Sequence, residues 1–96
     1  MDVQVSPALP LSAGTRATIT TSIPLSVEQF VASMRFIDHN GIAFELRNSG
    51  EAIGLYDSED GPFWEIETWS QTSDTFELVN VDKLGPTIQS ITCRVE

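Results

Sequence analysis

The sequence predicts an α+β domain in which one amphipathic helix packs on an antiparallel β-sheet, a meander of about five or more strands. Three observations predict this fold class: the β-branched stretch RATITTSI at residues 16–23, a capped helical pattern after it, and alternating apolar residues from Phe44 onward. The length of 96 residues suits one core, so residues 1–96 are interpreted as a single domain. Residues 1–14 are interpreted as an N-terminal strand or arm followed by a loop, with the strand at Val3–Val5.

A capping pattern marks the start of the predicted helix. Ser26 can cap the first turn, and Gln29 at the third helical position can close a capping box. Apolar residues then recur at helical spacing on one face: Val27, Phe30, Val31, Met34 and Ile37. His39 falls in the predicted final turn, where the helix dipole favours a cation, and Asn40 and Gly41 supply a stop.

The residues after the helix predict an antiparallel meander whose pairing follows from face alternation. A two-residue turn at Ser49 and Gly50 would set Leu46 opposite Ile53, with Phe44 on the same inner face. The sequence therefore predicts a tight first hairpin.

A second hairpin is predicted around the acidic stretch DSEDG. A four-residue loop, Ser58 to Gly61, would set Leu55 opposite Trp64 and keep Ile66 on the core face. Gly61 would end this loop at positive φ.

The last two predicted strands are less regular. In TFELVNV, residues 75–81, apolar side chains occupy both faces, which indicates a strand buried on both sides. In the final strand Ile91, Cys93 and Val95 alternate inward, and the out-of-step Ile88 predicts a bulge near Gln89 and Ser90.

Negative charge is concentrated in the middle of the chain. The sequence has 14 acidic and 5 basic residues, and the segment from Glu45 to Glu77 holds nine acids against Arg47, or −8 of the total −9. Such a field attracts cationic partners and repels phosphates, which argues against direct binding of nucleic acid. The alternative is that these acids only keep a small domain in solution.

Several classes of site and location are disfavoured by the residues. Cys93 is the only cysteine, which excludes an intramolecular disulfide and suits a reducing compartment. The N-terminus lacks a signal-peptide pattern and no segment is apolar enough to span a bilayer, so we expect a cytoplasmic protein without membrane contact. Counted from Asp57, an EF-hand pattern fails because Pro62 takes the glycine position and Thr68 the final glutamate position. We expect no metal site, no cofactor and no catalytic residue.

The candidate partner-binding residues are carboxylates and aromatics on or near the third predicted strand of the meander: Tyr56, Glu59, Asp60, Phe63, Glu65, Glu67 and Trp69. Alternation sends Phe63, Glu65, Glu67 and Trp69 to the outer face, opposite Trp64. Exposed aromatics beside carboxylates suit Arg or Lys side chains of a partner. In the alternative arrangement Phe63 and Trp69 are covered as a second small cluster. A catalytic role for the pair of glutamates needs a cleft that raises one pKa, which an outer face does not provide.

These observations favour a small acidic, non-enzymatic interaction protein, a monomer or homodimer, that binds a basic protein or a nucleic-acid-binding complex. An inhibitor, an immunity protein or a nucleic-acid mimic would fit. One alternative is a small-molecule-binding roll or small enzyme with Trp64, Phe44 and Cys93 lining a core cavity. Another is an accessory subunit that oligomerises through its last strand.

Overall fold

The computed structural model describes residues 1–94, which form eight strands and one helix. In chain order the elements are β1 (Val3–Ser6), β2 (Arg16–Leu25), α1 (Val27–Ser33), β3 (Met34–Asp38), β4 (Glu45–Asn48), β5 (Ala52–Asp57), β6 (Asp60–Glu67), β7 (Ser73–Asn80) and β8 (Ile88–Cys93). The predicted class is confirmed in its broad form, because antiparallel sheet dominates and one short helix accompanies it. The predicted inward placement of Val95 lies outside the described residues.

The strands form two antiparallel sheets that curl around one core. The larger sheet has the order β1-β2-β7-β6-β5-β4, and the smaller pairs β3 with β8. Bridges also join both edges of the smaller sheet to connecting segments, with Leu11 beside Ile88 of β8 and Ala43 beside Ile37 of β3. The arrangement is therefore a flattened roll whose apolar interior lies between the sheets. None of the helices in residues 1–94 has the length and apolar character required to cross a membrane.

The helix α1 covers one part of this interior with an aromatic side chain. Phe30 is fully buried, and its ring centroid lies 4.7 Å from that of Phe76 and 6.3 Å from that of Phe36. Both predicted hydrogen bonds of the capping box are confirmed: Gln29 N–H donates to Ser26 Oγ at 3.2 Å, and Ser26 N–H donates to Gln29 Oε1 at 2.8 Å.

The predicted length of the helix is wrong, because α1 ends at Ser33 after only 7 residues. Met34 and Phe36 are buried and Arg35 is exposed, the two-residue period of a strand, and this segment pairs with β8. Hydrogen bonds to β8 satisfy the backbone N–H and C=O groups of this segment, which a longer helix would have paired within itself. A helix this short is not clearly amphipathic. His39 lies in the turn after β3, so its predicted place in a helical turn is also wrong.

The predicted pairing of the first hairpin is wrong by two residues. Leu46 pairs with Leu55 and Asn48 with Ile53, and the loop between β4 and β5 is residues 49–51. Ser49 N–H donates to the Ala52 carbonyl at 2.9 Å and closes this loop. A slip of two keeps every side chain on its predicted face, because the period of a strand is two.

The core pairing of the second hairpin is confirmed, with Leu55 opposite Trp64 and Ile53 opposite Ile66. Gly61 has φ +133°, as its predicted positive φ requires. The predicted four-residue loop is wrong, since β6 already begins at Asp60. A register shift after Leu55 absorbs the difference.

The bulge in the last strand is confirmed. Ile37 pairs with Ser90 and Asp38 with Ile88, which leaves Gln89 as the extra residue. This extra residue allows Ile88 and Ile91 both to be buried despite their odd spacing.

Candidate functional site

The candidate site lies on the outer face, defined as the side of the six-stranded sheet opposite Trp64 and Ile66. On β6 this face carries Glu65, which is half-buried, and Glu67, which is exposed. The register places Glu65 between Gly54 of β5 and Val79 of β7, and places Glu67 opposite Ala52. The two glutamates therefore share one face at the spacing of alternate strand residues, about 6.5 to 7 Å.

An open groove of about 360 Å³ contains both carboxylates. We call it the outer groove, and its lining residues are Glu51, Ala52, Glu65, Glu67, Val79 and Val81. The apolar members come from β5, β7 and the residue after β7. Ala52, Val79 and Val81 were not among the residues predicted for the site. The signal that could have found them is the ambiguous TFELVNV pattern, which sets Val79 and Val81 on the face opposite Phe76 and Leu78.

The carboxylates of the outer groove carry uncompensated charge. The ion pairs within residues 1–94 join Arg16 to Glu77 at 3.1 Å and Arg47 to Glu45 at 3.0 Å. Neither pair involves a glutamate of the groove. The nearest arginines along the sheet are thus already engaged with other acids, which leaves the groove a local source of negative potential.

Tyr56 was predicted to offer its ring to a partner, and the structure places a cation of the chain itself on that ring. The guanidinium carbon of Arg47 lies 4.2 Å from the centroid of Tyr56. Arg47 Nη2 also donates to Glu45 Oε2 at 3.0 Å and to the Ser58 carbonyl at 3.1 Å. The hydrogen bond and charge of Arg47 lower the pKa of Glu45, and the same bond raises the pKa of Arg47. This side of Tyr56 is therefore occupied.

Trp69 packs inward against the main core and does not form a separate small cluster with Phe63. Its ring centroid lies 4.6 Å from Phe76 and 5.3 Å from Phe30, and its Nε1 donates to the Leu25 carbonyl at 2.9 Å. The physical reason is that β6 ends at Glu67, so strand alternation no longer governs the direction of Trp69.

Phe63 is also partly covered, by the turn that follows β7. A Cβ added to Gly85 would lie 2.5 Å from the ring of Phe63, so only glycine fits against this ring. The Phe63 carbonyl accepts hydrogen bonds from the backbone of Val81 at 2.9 Å and from the side chain of Asn80 at 2.9 Å. Phe63 and Trp69, the two rings predicted to contact a partner, therefore both contribute to packing within the protein.

The remaining predicted residues lie at a distinct place. Glu59 and Asp60 are exposed at the turn between β5 and β6, at the opposite end of β6 from Glu67. The seven predicted residues thus divide into a pair in the outer groove, a pair at the turn, two covered rings and a tyrosine beneath Arg47. Only the pair in the groove is combined with a concave surface.

The residues proposed to line a core cavity do not line either surface depression found in residues 1–94. Trp64, Phe44 and Cys93 are all buried. The Nε1 of Trp64 donates to the Pro86 carbonyl at 3.2 Å. The second depression, of about 220 Å³, is polar and lined by Asp2, Gln4, Thr20, Thr21 and Ser22.

Within the described part of the chain, no three His, Cys, Asp or Glu side chains are grouped as metal ligands would be.

The edge of β8 that faces away from β3 is partly taken by Leu11, which exchanges both backbone hydrogen bonds with Ile88 at 2.8 and 3.0 Å.

No protein-family model, curated protein or solved structure matches this chain. A functional proposal therefore depends on the geometry and charge of the chain's own residues.

Proposed function

We propose that this chain is a small acidic, non-enzymatic interaction protein that binds a basic surface of a larger macromolecule through the outer groove. The observation that carries the proposal is the combination of apolar walls with carboxylates that form no salt bridge in residues 1–94. Arg and Lys side chains have the matching chemistry, since their aliphatic stems cover apolar surface while their charged ends reach carboxylates.

The class of partner follows from this chemistry. A cleft built for phosphates presents cations in rows, and carboxylates spaced along β6 can occupy such a cleft. A nucleic-acid-handling enzyme, a cationic toxin or a basic subunit of a larger complex would each present that surface in the cytoplasm. Direct binding of nucleic acid is disfavoured by the net charge of −9.

The test is affinity capture from a lysate of the source cells at low and moderate salt, comparing the wild-type protein with the Glu65→Lys/Glu67→Lys variant. The matched control, Glu28→Lys/Asp74→Lys, makes the same change in net charge at two exposed residues outside the groove. We expect a single stoichiometric, salt-sensitive partner that the control retains and the groove variant loses.

Circular dichroism of both variants checks that each is folded, which matters most for Glu65→Lys because Glu65 is half-buried. Substitutions at the exposed Glu28, Glu67 and Asp74 should each change stability by less than about 0.5 kcal/mol. Equal retention of the partner by both double variants would contradict the proposed site. Equal loss in both would show that only net charge matters, which contradicts a defined groove.

A further inference from the structure

We infer that the outer groove takes an extended segment of the partner that runs along β6 and carries two Arg or Lys side chains two residues apart. This inference rests on the proposed function and adds the conformation, direction and cation spacing of the bound segment. Three features lead to it: a repeated pair of side chains, the spacing of the two glutamates along β6, and the ion-paired arginines that flank the groove.

The repeated pair consists of a carboxylate with an apolar side chain as its cross-strand neighbour. Glu65 has Val79 beside it on β7, and Glu67 has Ala52 beside it on β5. Each carboxylate therefore has its own apolar surface for the stem of a cationic side chain. The two units are separated by the distance between alternate residues of a strand, about 6.5 to 7 Å.

An extended segment reproduces this distance without adjustment. Alternate side chains of an extended chain point to one side at the same spacing as Glu65 and Glu67. Neighbouring side chains on one face of a helix have Cβ atoms about 5–6 Å apart, which is shorter than the spacing of Glu65 and Glu67 along β6.

The flanking arginines set the direction of the segment. The row of paired residues through Glu65 runs from Arg47 through Gly54 and Glu65 to Val79 and Arg16. A cationic segment laid across the strands would meet Glu65 and then the ion pairs of Arg47 and Arg16, whose carboxylates are already engaged. Each ion pair lies about two strand spacings, or roughly 10 Å, from Glu65. A segment laid along β6 meets Glu65 and then Glu67.

The experiment uses three synthetic peptides of identical composition that differ only in the spacing of two arginines. The peptides are acetyl-GTRTRTG-amide, acetyl-GTTRRTG-amide and acetyl-GRTTTRG-amide, titrated into the ¹⁵N-labelled protein at low salt. We expect the first to bind about fivefold more tightly than either isomer. Its largest backbone shifts should fall on Glu65, Glu67 and Val79.

Two variants show where any preference arises. Glu67→Gln should abolish the preference for the first peptide, because only one of the two carboxylates spaced along β6 then remains charged. Glu28→Gln, on α1 and outside the groove, should leave the preference unchanged.

The outcomes separate this inference from the proposed function. If all three isomers bind the groove equally and Glu67→Gln weakens them alike, the spacing inference is overturned and the acidic binding surface stands. If no peptide shifts any residue of the groove, the groove does not accept cations and both are overturned.

Discussion

The two faces of β6 share one backbone and have opposite environments. On the inner face Trp64 and Ile66 are buried among the side chains of both sheets. On the outer face Glu65 and Glu67 line an open groove and form no salt bridge in the described residues. The difference indicates that the inner face supplies stability, while the outer face carries the negative charge on which the proposed function depends. Substitutions on the two faces should therefore have separate effects.

The largest effect is expected from Trp64→Ala on the inner face. Removing this fully buried ring leaves a cavity and removes the donor to the Pro86 carbonyl. The free energy of unfolding should therefore fall by about 3–5 kcal/mol. Urea unfolding followed by circular dichroism measures the change. A loss below about 1 kcal/mol would mean that the inner face does not carry the stability assigned to it.

Trp69→Phe tests whether Trp69 contributes to stability or to partner binding. The ring contacts with Phe30 and Phe76 are largely kept, while the hydrogen bond to the Leu25 carbonyl is lost. We expect a loss of about 1–2 kcal/mol in stability and unchanged capture of the partner. Unchanged stability together with lost capture would instead assign Trp69 to the binding surface.

A smaller effect is expected at the capping box, which lies on neither face of β6. Ser26→Ala removes the hydroxyl that accepts from the backbone N–H of Gln29 and should lower the free energy of unfolding by about 1 kcal/mol. Ser70→Ala, at an exposed serine beyond β6, is the matched control and should change it by less than about 0.5 kcal/mol. Equal effects in the two variants would show that the cap contributes nothing measurable.

The smallest effect is a pH dependence at the edge of the outer face. Because Arg47 lowers the pKa of Glu45 in the folded state, this pair stabilises the fold at neutral pH, and the contribution is lost as the pH falls through that lowered pKa. A ¹³C NMR titration should give Glu45 a lower pKa in the wild-type protein than in Arg47→Ala. An identical pKa in both would show that the ion pair is not maintained in solution, where exposed pairs are weak.

Local chemistry explains which parts of the fold could be predicted. The capping box depends on two side chains three residues apart, and both of its hydrogen bonds are present. Pairing of Leu55 with Trp64 follows from the alternation of strongly apolar residues on both sides of a short acidic turn. The bulge at Gln89 follows from the odd spacing of Ile88 and Ile91.

The failures occur where local patterns allow two structures. Met34 and Ile37 fit the apolar face of a helix, yet residues 34–38 form a strand because β8 offers them a ladder. In the first hairpin Leu46 faces the core whether it pairs with Ile53 or with Leu55, so alternation cannot choose between the two pairings.

The candidate site was predicted in its chemistry and only partly in its geometry. Alternation placed Glu65 and Glu67 on the outer face of a strand, where the structure has them. The sequence left open whether Trp69 is covered, and it did not predict the contact of Trp69 with Phe76, the contact of Arg47 with Tyr56 or the apolar walls from β7. Each of these depends on residues distant in the sequence.

By itself the sequence determined the acidic charge, the strand-rich class and the start of the helix, because these depend on composition and on neighbours within a few residues. Only the tertiary structure decided where the helix ends, how the roll closes through Leu11 and Ala43, and which residues meet in the outer groove. The physical reason is that strand pairing and side-chain packing depend on contacts between segments far apart in the chain, whose competing pairings differ little in local preference.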